Sequence, residues 1–459
     1  MDFPFFQADF FGNRLVIAIN AIIHVLITHS FAVGMFPLIV LVEWWAYRND
    51  RPDWDELAYK ILFVCFIVMT SIGALTGVGI WFTTSVVGPF AIGSLIRVFY
   101  FAWFTEWGFF TTELALLLLY FLLWKRMRGP RKLAHIRIGI ALSVASWFTL
   151  SIVTGILGFM MDPGNWLYDV RFWSGFFNRT FVPQMMFRTA IAPAIAGSLA
   201  LALAHAFTKK GTALRVQATR VFSGWTLFWL LPTVIWGLIY YRAIPVAMHG
   251  NLPVAMGTLA YAKEFGTLVR ITVGAIAVVA LASLWGVLQP RRATLVAWMV
   301  PVVLLAGLLS YFERARQFVR KPYVIGYYMY SNGIRVPDVP YLLKTGLLAN
   351  SAWTLTKEVT EQNKIDAGRD VYMLTCSRCH TIDGVNSVRR RLASLYPHEQ
   401  WQASSIEQFL ENIHGAGPYM PPFVGTVAER GALAAYLASL YDRTEFIPYS
   451  PPGFRGKGE

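Results

Sequence analysis

Eight long apolar runs, separated by short polar stretches, set the pattern of this chain. They lie near 16–45, 58–82, 95–124, 138–160, 182–207, 221–240, 268–288 and 295–312. A helix needs about 20 apolar residues to cross the hydrocarbon core of a bilayer, so the pattern predicts eight membrane-spanning helices. Between the fourth and fifth runs, 162–180 is aromatic and moderately polar, which suits a helix lying at the membrane interface. Beyond the eighth run the pattern changes. Residues 331–340 are polar and rich in Pro and Gly, and a linker is expected to about 363. Apolar positions then recur at helical spacing in 366–374, 406–413 and 427–441, predicting a small helical domain. The expected division is a membrane bundle over 1–330, a linker over 331–363, a helical domain over 364–445 and a loose tail over 446–459. The fold class is therefore all-α: a polytopic membrane helix bundle with a small helical domain attached.

Composition agrees with this, because 56% of residues are hydrophobic and mean hydropathy is +0.48. A net charge of +14 could suggest a nucleic-acid partner, but the cations sit mostly between apolar runs, where they encode topology. The connections after runs one, three, five and seven hold about fifteen Lys and Arg; the N-terminus and the connections after runs two, four and six hold about six. The N-terminus is thus expected outside. An even number of crossings returns the C-terminal domain to the same face. Residues 1–13 lack the basic start and cleavage site of a signal peptide, so the first span is expected to remain attached. Lipid is the expected surround and no nucleic acid is expected.

Of three cysteines, Cys65 lies alone in an apolar run and reads as core. The other two form Cys376-Ser377-Arg378-Cys379-His380. Two thiols at this spacing can add to the vinyl groups of one porphyrin, and the adjacent histidine then reaches the iron: the pattern of covalent haem c attachment. Zinc or a thioredoxin-type pair would use Cys-x-x-Cys as well, but neither needs His380, and no second cysteine pair completes a zinc site. The second axial ligand is expected downstream in Gly417-Pro418-Tyr419-Met420-Pro421-Pro422-Phe423, where Met420 offers a thioether. His414 is the alternative ligand. Covalent haem of this type is attached on the outer side of the bacterial membrane, in agreement with the charge pattern.

Ionisable groups within spans are functional candidates because hydrocarbon penalises them. Span one carries His24 and His29, with Arg14 at its outer end; either histidine could ligate a haem or bond a neighbouring helix. Span three carries Glu106 and Glu113, seven apart on one helix face, as a proton path or as a pair of neutral acids. The end of span eight sets Glu313 among Arg314, Arg316, Arg320 and Lys321 at the outer face. That is the wrong side for topology, and anionic haem propionates would account for these cations. His205 and His249 receive no role.

These residues, in this order, resemble subunit I of the cytochrome bd oxidase superfamily. Arg14 followed by His24 and then Gly34-Met35 resembles its first helix, Glu113 and the run to Trp124 its third, Arg270-Ile271-Thr272-Val273-Gly274 its seventh, and Arg320-Lys321-Pro322-Tyr323 the motif after its eighth. The resemblance covers about the first 330 residues. It implies that His24 ligates a buried high-spin haem, that Glu313 ligates a second, and that Glu106 and Glu113 deliver protons; Arg14 and Arg320 are candidate propionate contacts, and Arg188, from its charge, is a candidate to pair with a propionate or with the C-terminal domain. It implies two non-covalent haems, of b or d type, and a companion like subunit II. Glu313 stands one helical turn farther from the proline than the family spacing, and Glu106 is displaced by one residue.

Three departures matter as much. Where the family has histidine and methionine ligands to a low-spin haem, this chain has Arg188 and Thr272, and neither is a plausible iron ligand. The long quinol loop is reduced to about 241–263, and the ninth helix is absent. From Gly368 and Tyr372 to Tyr436 the C-terminal part resembles a class I cytochrome c. Together these imply a respiratory oxidoreductase in the bacterial inner membrane that takes electrons from a periplasmic or membrane-attached cytochrome c, through its own haem c, to buried haems, with oxygen as the expected acceptor. A non-catalytic electron-transfer subunit with low-spin haems only, and a transporter bearing a sensor cytochrome, are the alternatives.

Overall fold

The structure is a computed structural model that describes residues 3–256, 265–292, 294–397 and 400–441. Among the described residues, eight helices are long and apolar enough to cross a membrane: Asn13–Arg48, Pro52–Val87, Tyr100–Leu123, Gly129–Met161, Phe181–Phe207, Ala213–Ala243, Gly266–Leu288 and Trp298–Val319. These spans match the eight apolar runs. Span ends lie several residues from the run ends, and at one of them the backbone breaks. The third run begins at 95, but Pro89–Val98 forms a helix of its own and span three starts after a break at Phe99. Hydropathy does not register the break, because both sides of it are apolar. The expected interfacial helix over 162–180 is two short ones, Trp166–Asp169 and Phe172–Phe176. The tail 446–459 lies outside the described residues, as does 257–264 in the shortened loop.

Two compact units are present. Residues Ala21–Gly79 and Leu95–Val319 form the bundle; Met1–Asn20, Ile80–Ser94 and Arg320–Glu459 form the other. Within the bundle span five is central, packing against spans one, four, six and eight, and small residues allow it. A Cβ on Gly34 would stand 2.3 Å from the carbonyl oxygen of Ala192, so spans one and five touch backbone to backbone, the close approach by which membrane helices gain packing in lipid. Span one widens into a π-helical stretch at Thr28–Met35 just there. Such bulges mark functional positions more often than ordinary helix does.

In the second unit, helices Lys364–Thr375 and Val427–Ser439 cross at the core, with Val371, Tyr372, Ala432 and Leu433 fully buried. Thr426 and Glu429 form a capping box at the start of the last helix. Glu429 also accepts from the backbone N–H groups of Leu347 and Leu348, at 3.0 and 2.7 Å. The stretch 331–363, expected to be a linker, is therefore part of this unit: Ile334, Leu342, Leu347 and Leu348 lie in the same apolar core. The sequence signal of Pro and Gly there marks turns, including a two-stranded antiparallel hairpin of Tyr323–Ile325 with Met329–Tyr330 just ahead of it. The N-terminal segment belongs to the same unit, and Val385 N–H donates to the carbonyl of Phe10 at 2.8 Å.

Candidate functional site

Cys376, Cys379 and His380 follow directly on helix Lys364–Thr375, whose last turn is continued by hydrogen bonds from Cys376 N–H to Tyr372 and from His380 N–H to Cys376. Both thiols are half-buried and free. His380 Nδ1 donates to the carbonyl of Asn386 at 3.2 Å, which fixes the ring and leaves Nε2 as an unprotonated donor atom for iron. Asn386 is itself in the left-handed region, φ 59°, and its amide donates back to Cys379 at 2.7 Å. Burial first, and then the nearby Arg14 and Arg391 cations, push the His380 pKa down to about 4, so the imidazole is neutral at physiological pH, as ligation requires. His414 Nδ1 donates to the backbone oxygen of Met420 at 2.7 Å. The alternative ligand thus engages the loop that carries the expected one. The donor set fits a covalently held haem c: two thiols, an oriented imidazole and a thioether.

Arg378, inside the motif, keeps its guanidinium 5.3 Å from the Phe90 ring centre. Gly333, at φ +88°, makes room for it, since a Cβ there would stand 2.8 Å from Arg378 Nη1. Arg14 and Arg320 lie in this same unit rather than in the bundle, and the charge of Arg14 acts on His380.

In the bundle, His24 Nδ1 is 3.1 Å from Thr76 Oγ1, and the ring lies over Gly77, where a Cβ would be 3.2 Å from Cε1. A hydroxyl orients one ring nitrogen, as the outward nitrogen of a haem-ligating histidine is oriented. A second group forms around Arg188, which is 1% exposed. Its guanidinium pairs with Glu313 and donates to His29 Nε2 at 3.1 Å, while His29 Nδ1 donates to the carbonyl of Val25 at 2.9 Å. Arg316 holds the other Glu313 oxygen at 3.1 Å. Arg188 meets Glu313 and His29, which supply the counter-charge that a buried guanidinium needs close by. Thr272 donates to the carbonyl of Leu268 at 3.0 Å and is part of its own helix wall.

Glu113 is buried, with Ser146 and Thr149 of span four in hydrogen-bonding reach, and Glu106 is half-buried on the same face. His205 lies between Thr219 and Arg215, at 2.8 and 2.9 Å, and ties span five to span six. His249 stacks on Tyr241.

Residues 363–437 match the family described as Cytochrome C oxidase, cbb3-type, subunit III. The second unit therefore contains a cytochrome c domain, which implies covalent haem c. Among solved structures, the chain is similar to one titled "The structure of bd oxidase from Geobacillus thermodenitrificans": 14% identical, with a TM-score of 0.55 over 68% of this chain and 86% of that one. The bundle has the bd oxidase fold. No curated protein matches the chain in sequence. A membrane bundle of this fold joined to a cytochrome c domain is the architecture that the sequence implied.

Sequence reasoning missed one cluster altogether. At the end of the bundle where spans one and two, and spans three and four, are joined, Glu43, Asp55, Tyr120, Lys132 and His135 form a buried polar network. Lys132 and His135 lay within a basic stretch that read as a topology signal. Glu43 was visible as a lone acid in an apolar run.

Proposed function

We propose that this chain is a cytochrome c-linked terminal oxidoreductase of the bacterial inner membrane, with its N-terminus and cytochrome c domain on the periplasmic side. The observation that carries this reading is the pairing of Arg188 with Glu313 and His29. At a position where the related oxidases hold a haem that accepts electrons from quinol, this chain has a cation committed to a buried ion pair. Electrons then need another entrance, and the cytochrome c domain supplies one.

When bound, haem supplies one-electron chemistry and, at an iron with an open position, binding of oxygen. Cys376 and Cys379 would hold haem c, and His380 and Met420 would ligate its iron. His24 would ligate a buried haem of b or d type, with Thr76 orienting it. Glu313, fixed by Arg188 and Arg316, would face a second. Arg14 and Arg320 would offer charge to propionates, and Glu113 with Glu106 would pass protons. A periplasmic or membrane-attached cytochrome c is the donor, and oxygen the acceptor. A membrane subunit like subunit II of the bd oxidases is the expected partner: span three is only 17% buried and presents Phe101, Phe104 and Trp107 outward.

The engagement of both Glu313 oxygens favours a second reading, a non-catalytic electron-transfer subunit with low-spin haems only. Oxygen uptake driven by reduced cytochrome c but not by quinol, together with a carbon monoxide difference spectrum from non-covalent haem, supports the first. Absence of the carbon monoxide signal supports the second, and uptake driven directly by quinol overturns both.

A further inference from the structure

We infer that the buried network of Glu43, Asp55, Lys132, His135 and Tyr120 is a proton intake that feeds Glu113 and Glu106. This inference deepens the reading above and rests on it, because a chain that reduces its acceptor must draw protons to the bundle.

The geometry at His135 carries the argument. Its Nδ1 is 2.6 Å from Glu43 Oε1 and its Nε2 is 2.8 Å from the backbone oxygen of Tyr120. A backbone carbonyl only accepts, so Nε2 carries a hydrogen. At Nδ1 the close partner is a carboxylate oxygen, so a second proton lies on Nδ1 or on Glu43 itself. Either way one proton is shared between two side chains that are 0% exposed. Tyr120 donates its hydroxyl to the other oxygen, Glu43 Oε2, at 2.6 Å. Lys132 Nζ bridges Glu43 Oε1 and Asp55 Oδ1, both at 2.6 Å, and lies 4.1 Å from the Trp124 ring centre.

Exposure rises steadily outward: the Glu43 side chain is 0% exposed, Lys132 7% and Asp55 25%. A structural staple has no need of such a gradient. A path from water to a buried proton holder does. Two carboxylates and one ammonium leave one negative charge over, and the proton at His135 cancels it. Cys65 of span two is the further titratable group felt by Tyr120.

Inward, the path follows span three. Glu106, Glu113 and Tyr120 are spaced by seven and so share a face. Span four makes room for the ring: a Cβ on Gly139 would stand 2.7 Å from Tyr120 Cε2. Two helical turns separate Tyr120 from Glu113, about 10 Å along the axis, and this step requires water to enter between them, past Leu117 and Leu142, which are buried in the apolar core. For the transfer the Tyr120 O–H turns from Glu43 Oε2 to a water on the Glu113 side; Glu43, carrying the proton it shares with His135, then gives it to the Tyr120 oxygen as the tyrosine O–H bond breaks toward that water. His135 replaces the proton on Glu43, and solvent replaces it through Asp55 and Lys132, so no charge is left behind.

The test uses the full-length, haem-loaded protein, with Glu43→Gln and Tyr120→Phe, photoreduced without oxygen in unbuffered solution containing a pH dye. Proton uptake is expected to lag haem reduction about 100-fold in both variants, the scale of losing one positioned proton donor, with haem content and reduction rate as in the unsubstituted protein. Uptake at the original rate in both variants overturns the proposal, as does absence of uptake in the original protein. Tyr120→Phe keeps the ring, so it decides the matter if Glu43→Gln does not fold. Oxygen consumption is measured in parallel. Consumption with unchanged uptake in the variants sinks this proposal alone; uptake through Glu43 without consumption sinks the oxygen-reductase reading alone.

Discussion

Arg188 donates to His29 Nε2 at 3.1 Å, joining span five to the π-helical stretch of span one. That bond belongs to a chain of four side chains, His29, Arg188, Glu313 and Arg316, which ties three spans together at one depth. Removing one partner of a buried ion pair costs roughly 3–5 kcal/mol, because the other is left uncompensated. Arg188→Met is therefore expected to lower the thermal stability of the bundle strongly, read as loss of non-covalent haem on heating. Arg188→Lys cannot reach two partners at once and is expected to restore only part of the loss.

His24 and His29 separate by their partners. His24→Ala is expected to remove one non-covalent haem and its carbon monoxide signal while leaving haem c intact, as counted by pyridine haemochrome analysis. Retention of the full non-covalent haem content would move the ligand role elsewhere.

Met420→Ala is expected to lower the haem c potential, because a thioether ligand favours the reduced iron. Redox titration of the α-band measures it. An unchanged potential would point away from the Met420 loop as the source of the second ligand.

Glu429 accepts from three backbone N–H groups, those of Thr426, Leu347 and Leu348. Glu429→Ala leaves these donors unsatisfied in a buried place, at about 1–3 kcal/mol for each that finds no water. Haem c is expected to remain attached while the domain melts at a lower temperature and the segment 331–363 becomes open to protease. A melting curve like that of the unsubstituted protein would show that the stretch is held by its apolar contacts alone.

The sequence alone determined the number of spans, the chemistry of the cytochrome c motif and the fold class, because each rests on local spacing: apolar length for a span, two thiols and a histidine for haem c. It also gave up His24, Glu113, Arg188 and Glu313 as single candidates, since an ionisable group in an apolar run is conspicuous by itself. Tertiary structure alone decided which of these meet. Arg188 and Glu313 are 125 positions apart, and a counter-charge over that distance has no local signature. Glu43 and His135, 92 apart, escaped for the same reason: the cations of a basic connection look alike in sequence, and only packing picks out the two that turn inward to share a buried carboxylate.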